Sequence, residues 1–319
     1  MTLTPDFDSF AAGYAAGKNQ IVYTRLAADL DTPVSLMLKL TGAAQNAFVL
    51  ESVTGGEVRG RYSIIGMKPD LIWRCRGTTS AVNRAARYDA DAFEDAVGDP
   101  LDTLRALIAE SRIDLPGDLP QAAAGLFGYL GYDMIRLIEH LPDVNPDPLG
   151  LPDAMMVRPS VIAVLDGVKG EVTIVSPAWV SDGQSAKAAY AQAAERVMDA
   201  VRDLERSMPG ASRDLGEAHE ESSPVSNFTR DEYKSAVEKA REYIVAGDIF
   251  QVVPSQRWAQ GFSQPPFALY RSLRRTNPSP FMFYFNFGDF HVVGASPEIL
   301  VRVFGNEITI RPVAGTRRR

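Results

Sequence analysis

The chain alternates short runs with apolar residues at every second position and longer runs with an apolar stripe every third or fourth. These are the signatures of half-buried strands and amphipathic helices. After a weakly patterned start over residues 1–20, residues 21–23 predict a strand. Residues 27–34 then predict a turn-rich entry into a helix, with Thr32 as its cap and Pro33 at its first position. Residues 47–53 are alternating and β-branched, Thr54-Gly55-Gly56-Glu57 breaks them as a turn, and residues 61–66 and 71–76 predict two more strands. Leu101, Leu104, Ala106, Leu107 and Ile108 mark an amphipathic helix. Residues 155–165 and 171–175 predict strands joined by a turn at Asp166-Gly167, and residues 185–206 a helix rich in Ala, Glu and Arg. Strands are short, connections tight and the βαβ rhythm missing, so antiparallel pairing is expected.

Residues 209–227 are polar throughout and predict a linker or surface loop. A helix follows, opened by the T-x-x-E box of Thr229 and Glu232, striped by Tyr233, Val237, Ala240 and Ile244, and closed by Gly247. Residues 249–253 predict a buried strand interrupted by one amide, Gln251. The last forty residues predict a meander with strands over 281–287, 291–295, 299–304 and 307–311. The glycine- and aromatic-rich stretch 125–132 lacks both the lysine and the spacing of a phosphate loop, so its glycines are expected to let backbone pack closely. No internal repeat is found. The pattern as a whole describes an α+β protein with a large antiparallel sheet.

Composition narrows this picture. With 319 residues, 45% hydrophobic, the chain is long enough for one large domain or two. Its formal charge of −7, from 33 Lys and Arg against 40 Asp and Glu, and the lack of a clustered basic face argue against a nucleic-acid partner. The single cysteine, Cys75, has no disulfide partner within the chain, which suits a reducing cytoplasm, and its strand setting makes it a packed thiol rather than a nucleophile. Residues 1–8 carry Asp6 and Asp8 and no apolar run, so no signal peptide is expected. No stretch approaches the roughly 18 apolar residues of a membrane span. The histidines at 140, 219 and 291 lack metal-ligand spacing.

Taken alone, the Gly315-Thr316 pair reads as a glycine turn after an edge strand, although Gly315 could let a backbone N–H approach an anion closely and the Thr316 hydroxyl could donate to it. The decisive signal is a set of four segments in register. They are Phe48-Val49-Leu50-Glu51-Ser52; Gly247-Asp248-Ile249-Phe250-Gln251-Val252-Val253-Pro254-Ser255-Gln256-Arg257; Asn277-Pro278-Ser279-Pro280-Phe281-Met282-Phe283 followed by Gly294-Ala295-Ser296-Pro297-Glu298; and Ile310-Arg311-Pro312-Val313-Ala314-Gly315-Thr316-Arg317. In order and spacing, from about residue 20 onward, they resemble the chorismate-utilising enzymes, and the anthranilate synthase component I members in particular.

The resemblance implies an α+β fold built as a large antiparallel β-sandwich with external helices. It places a tryptophan-site region over 1–210, a linker or loop over 211–226 and the start of a chorismate-binding domain over 227–319. It also implies that Gly315 and Thr316 contact chorismate. Ala314 stands where aminodeoxychorismate synthases commonly carry a nucleophilic lysine, and a methyl group cannot attack the ring. Gln251 stands where relatives that add water carry a lysine base; a glutamine has no useful proton affinity but can hydrogen-bond an incoming ammonia. Both positions imply amination by free ammonia, although a buried amide satisfied by backbone is the alternative for Gln251. The implied reaction converts chorismate and ammonia, supplied by a glutamine amidotransferase subunit, to anthranilate and pyruvate, with Mg²⁺ bound by glutamates beyond Arg319. A fragment ending there is expected to be inactive alone. Glu51, Ser52, Pro280, Phe281 and Met282 are expected to form a pocket for L-tryptophan as feedback inhibitor, Glu51 facing the ammonium and the apolar residues the indole. The alternative for these residues is a strand end and core packing. Rival readings are an aminodeoxychorismate synthase or isochorismate synthase relative, and a non-catalytic tryptophan-binding module.

Overall fold

The fold is described from a computed structural model in residues 2–42, 44–52, 60–142, 145–208 and 222–312. By packing, the chain divides into two units, one within Met1–Pro209 and Pro266–Arg319, the other within Gly210–Pro265. The chain returns to the first unit after Pro266, where a late strand pairs with an amino-terminal one.

The first unit is built on a ten-stranded, wholly antiparallel sheet. Its elements begin with α1 (Phe7–Ala15), β1 (Gln20–Ala27), α2 (Pro33–Thr41), β2 (Ala47–Glu51) and β3 (Tyr62–Arg76). They continue with β4 (Thr79–Asn83), β5 (Glu94–Ala96), α3 (Pro100–Glu110), β6 (Phe127–Leu130), β7 (Ala154–Asp166), β8 (Glu171–Ala178) and α4 (Ala186–Glu205). In the second unit, β9 (Val225–Ser226) pairs with β10 (Trp258–Ala259), and α5 (Arg230–Ala246) lies between them in sequence. The chain then returns to the first unit with α6 (Pro266–Thr276), β11 (Phe281–Asn286) and β12 (His291–Ser296), and with β13 (Arg302–Phe304) and β14 (Glu307–Thr309), which among the described residues pair only with each other.

The long strands β3 and β7 form the spine. One half of the sheet runs β1-β8-β7-β3-β2-β11-β12; in the other half β6 joins β7, β4 joins β3 and β5 joins β4. The pattern predicts two strands here, over residues 61–66 and 71–76, with Pro69, which cannot donate to a ladder, between them. β3 is one strand of 15 residues: Lys68 takes a left-handed φ of 52° and the register shifts between Pro69 and Leu71, so the proline sits at a bulge. The large antiparallel sheet with external helices is thus present, and no second large sheet occurs among the described residues.

Side-chain alternation gives the sheet two apolar faces. α1, α2, α4 and α6 cover one, where Phe10, Leu36, Val49, Ile65, Ala193, Tyr270, Met282 and Tyr284 pack together. The other face carries Phe48, Ile64, Ile162, Phe285 and Phe287 under Leu119, Ala123 and Phe127, and a third cluster seats α3 through Leu104 and Leu107 on Leu71, Trp73 and Cys75. Glycines face aromatic rings across two ladders: a Cβ on Gly66 would lie 2.3 Å from the Phe48 ring, and one on Gly294 2.2 Å from the Phe283 ring.

Several local expectations hold for stated reasons. Thr32 and Thr229 both form capping boxes, and Gly247 closes α5 at a left-handed φ of 84°. Others do not. The weakly patterned start contains α1, capped by Asp6. Residues 249–253, expected as a buried strand, form none, since no strand among the described residues pairs with them; Phe250 is 95% exposed. No residue of α5 is buried, and Ile244 of its stripe is exposed. The expected loop 211–226 falls mostly outside the described residues, but Val225 and Ser226 are β-strand. The last two strands are shorter than expected and stand apart from the meander. No described helix is long and apolar enough to cross a membrane.

Candidate functional site

The residues singled out by sequence meet where β2 ends beside β11. Glu51, last in β2, is the direct ladder partner of Met282, and Ser52 follows it, half-buried. Gly60, at a φ of 88°, passes so close that a Cβ would sit 3.0 Å from the Ser52 carbonyl oxygen. The connection from α6 to β11 is Asn277-Pro278-Ser279-Pro280. Its prolines fix φ, the Asn277 N–H donates to the Leu273 carbonyl at 2.8 Å, and buried Ser279 donates from Oγ to the Asn277 carbonyl at 3.3 Å.

The alternation of the strands divides this set. Met282 is buried on the helix-covered face with Val49 and Tyr284. Phe281, one residue earlier, belongs to the opposite face with Phe283 and Phe285 and is 42% exposed. Pro280 is half-buried.

Glu51 is buried on the helix side, its side chain only 2% exposed. A carboxylate there must be matched by donors. α6 supplies them: Tyr270 Oη donates to Glu51 Oε2 at 2.7 Å, Arg274 Nε donates to Oε1 at 2.6 Å, and Arg274 Nη2 lies 2.5 Å from the same oxygen in an ion pair. Tyr270 and Arg274 lie one turn apart on one face of α6, which seats against β11 and β12. Burial pushes the Tyr270 phenol well above its ordinary value, and the Glu51 charge and hydrogen bond push it further, so the tyrosine remains a donor. The bond to Glu51 raises Arg274 in turn. Nearby, Tyr284 stacks on His291 with ring centroids 5.7 Å apart, and burial lowers the imidazole below its ordinary value. Tyr270 and Arg274 have no motif to announce them; their i, i+4 spacing beside an apolar stripe is the only signal in the sequence.

Of the residues expected to take part in the chemistry on chorismate, Gln251 alone is among the described residues. Gln251 lies in the second unit, exposed and outside any strand. Ala314, Gly315 and Thr316 lie outside the described residues.

The sequence profile of the family described as chorismate binding enzyme matches residues 66–319. Over 98% of its length the chain is 72% identical to anthranilate synthase component 1 of Cereibacter sphaeroides, of which it spans 62%. It is 41% identical to the protein of the same name from Pseudomonas putida, over 96% of this chain and 61% of that one. The chain therefore spans about three fifths of the length of these curated relatives. Among solved structures, anthranilate synthase component I from Streptococcus pneumoniae superposes with a TM-score of 0.67 at 26% identity, covering 89% of this chain and 60% of that one. The menaquinone-specific isochorismate synthase of Escherichia coli, at 15% identity and a TM-score of 0.51 over 93% of this chain and 56% of that one, shares the fold.

Proposed function

Because the chain belongs to the chorismate binding enzymes, we propose that it serves in the large subunit of an anthranilate synthase, which converts chorismate and ammonia to anthranilate and pyruvate on the route to tryptophan. The likeness to anthranilate synthase component 1 over nearly the whole chain carries this reading. In it, ammonia adds at C2 of chorismate as the C4 hydroxyl leaves, and loss of the enolpyruvyl group as pyruvate then aromatises the ring. Gly315 and Thr316 bind the substrate, one through its N–H and one through its hydroxyl. Gln251, whose side chain is exposed in its own unit, receives ammonia rather than activating water. Ala314 leaves no enzyme amine to compete. The Mg²⁺ that the resemblance brings with it does not fit the described residues, among which no group of three or more His, Cys, Asp or Glu side chains could hold a metal ion, so no step here runs through it.

A glutamine amidotransferase subunit, component II of the synthase, supplies the ammonia, and a reducing cytoplasm is the compartment that the lone cysteine suits. L-Tryptophan is the feedback inhibitor, held where Ser52 meets the Pro280–Met282 stretch. The ladder that puts Met282 beside Glu51 supports that placement.

The test is product analysis with the full-length protein, chorismate, Mg²⁺ and excess ammonium. Anthranilate, followed by its fluorescence, is the expected product. Isochorismate or aminodeoxychorismate would move the protein to another branch of the family. Tryptophan binding without turnover would favour a sensor.

A further inference from the structure

We propose that Tyr270 and Arg274 are positioning residues of the amino-acid site: acting through Glu51, they lock the Asn277–Pro280 connection against the end of β2 and so set how tightly the site holds its ligand. This rests on the reading that Ser52 and the Pro280–Met282 stretch bind tryptophan.

The argument is one of ring closure. Glu51 is tied to β11 through the ladder at Met282, and to α6 through its carboxylate. α6 ends at Thr276, and only four residues separate it from β11. Backbone and side chain of one residue thus clamp both ends of the same connection. Two donors a turn apart fix both the height and the rotation of the helix end, where a single bond would leave it free to swivel. Pro278, Pro280 and the bond from Asn277 to Leu273 stiffen what lies between. Both Glu51 oxygens already have strong donors and the side chain is almost fully enclosed, so its effect on a ligand passes through α6. A site whose wall is held in its binding shape before the ligand arrives loses less on binding, and freeing the wall weakens affinity without removing a contact.

Calorimetric titration of the full-length protein with L-tryptophan tests this, alongside thermal melting of each variant. Arg274→Met should weaken binding by about tenfold or more, since it leaves a buried carboxylate half-matched and the connection loose. Arg274→Lys, which keeps the charge, should recover part of the loss. Tyr270→Phe, which preserves volume and removes one bond, should weaken binding several-fold and carries the test if the Met variant does not fold. Arg275→Met, at the exposed neighbouring position, should bind as the parent does. Amide exchange at Asn277 and Ser279 should quicken in step with lost affinity. Variants that melt earlier yet bind tryptophan unchanged would reduce Tyr270 and Arg274 to structural supports and overturn the proposal. Failure of the unsubstituted protein to bind tryptophan would instead remove the pocket reading beneath it.

Discussion

Arg158 and Asp70 hold each other inside the sheet: Arg158 Nε donates to Asp70 Oδ1 at 2.7 Å, with 7% of the arginine side chain and 19% of the aspartate exposed. Asp70 is the residue turned out at the β3 bulge, and its other oxygen accepts from the Trp179 indole at 2.7 Å. The Arg158 guanidinium stacks 4.5 Å from the Trp179 ring and reaches Glu110 at the end of α3. One cation thus pins the bulge, the α3 terminus and the strand edge. Arg158→Met leaves the Asp70 carboxylate without its cation and removes one of Glu110's two arginine partners, and should cost about 3–5 kcal/mol. Asp70→Leu combined with Arg158→Met should cost less than the two single losses added. Strict additivity in urea melts would show that the pair is not coupled.

Acid should weaken the fold partly through Glu110. The Arg84 hydrogen bond, opposed by burial and aided by Arg158, holds this carboxyl below its ordinary 4.5. A group depressed in the folded state stabilises fully above its unfolded value and loses that contribution as pH falls through the folded one. Stability should therefore decline as pH drops below 4.5. Glu110→Gln should show a flatter acid limb in denaturant midpoints taken from pH 7 downward. Parallel curves for the two proteins would contradict this.

Gly128 lies where β6 crosses closest to β7. A Cβ there would meet the Met155 carbonyl oxygen at 1.9 Å, a backbone atom that cannot step aside. Gly128→Ala should cost about 1–3 kcal/mol or more. Gly117→Ala, which meets nothing within 4 Å, should stay within about 0.5 kcal/mol. Equal melting temperatures for the two variants would refute the close-approach reading.

Cys75 should be chemically silent while the protein is folded. It is fully buried, and burial, with the charges of Asp153 and Asp99, pushes its thiol up to about 11. The thiolate that reacts with alkylating reagents is then scarce at neutral pH. Iodoacetamide should label Cys75 only in denaturant; rapid labelling of the native chain would show the strand to be open.

What could be read from the sequence was chiefly local. Thr32, Thr229 with Glu232, and Gly247 act within one turn of chain, so their caps follow from residue type and spacing. The continuity of β3 across residues 67–70 is not legible locally, because it rests on the left-handed Lys68 and a bulge at Pro69 that only the pairing with β7 defines. The apolar run at 249–253 resembles a strand, but a strand is defined by its partner, which no local pattern supplies. The site is legible to the same extent. Glu51 and Met282 were singled out and are ladder partners, whereas Tyr270 and Arg274 were missed, because a buried carboxylate finds its donors through space, across more than two hundred residues.

The ladder between β2 and β11 also bears on how the protein is made. Its partners lie roughly 230 residues apart in the chain. At about 5–20 residues per second, the ribosome needs about 10–50 seconds to deliver β11 after β2 has emerged. For that interval the outer edge of β2 offers a row of unpaired N–H and C=O groups to any passing strand. The nascent amino-terminal sheet therefore keeps an open edge until its late hairpin arrives, and slower translation between residues 51 and 281 lengthens the period in which that edge can pair wrongly.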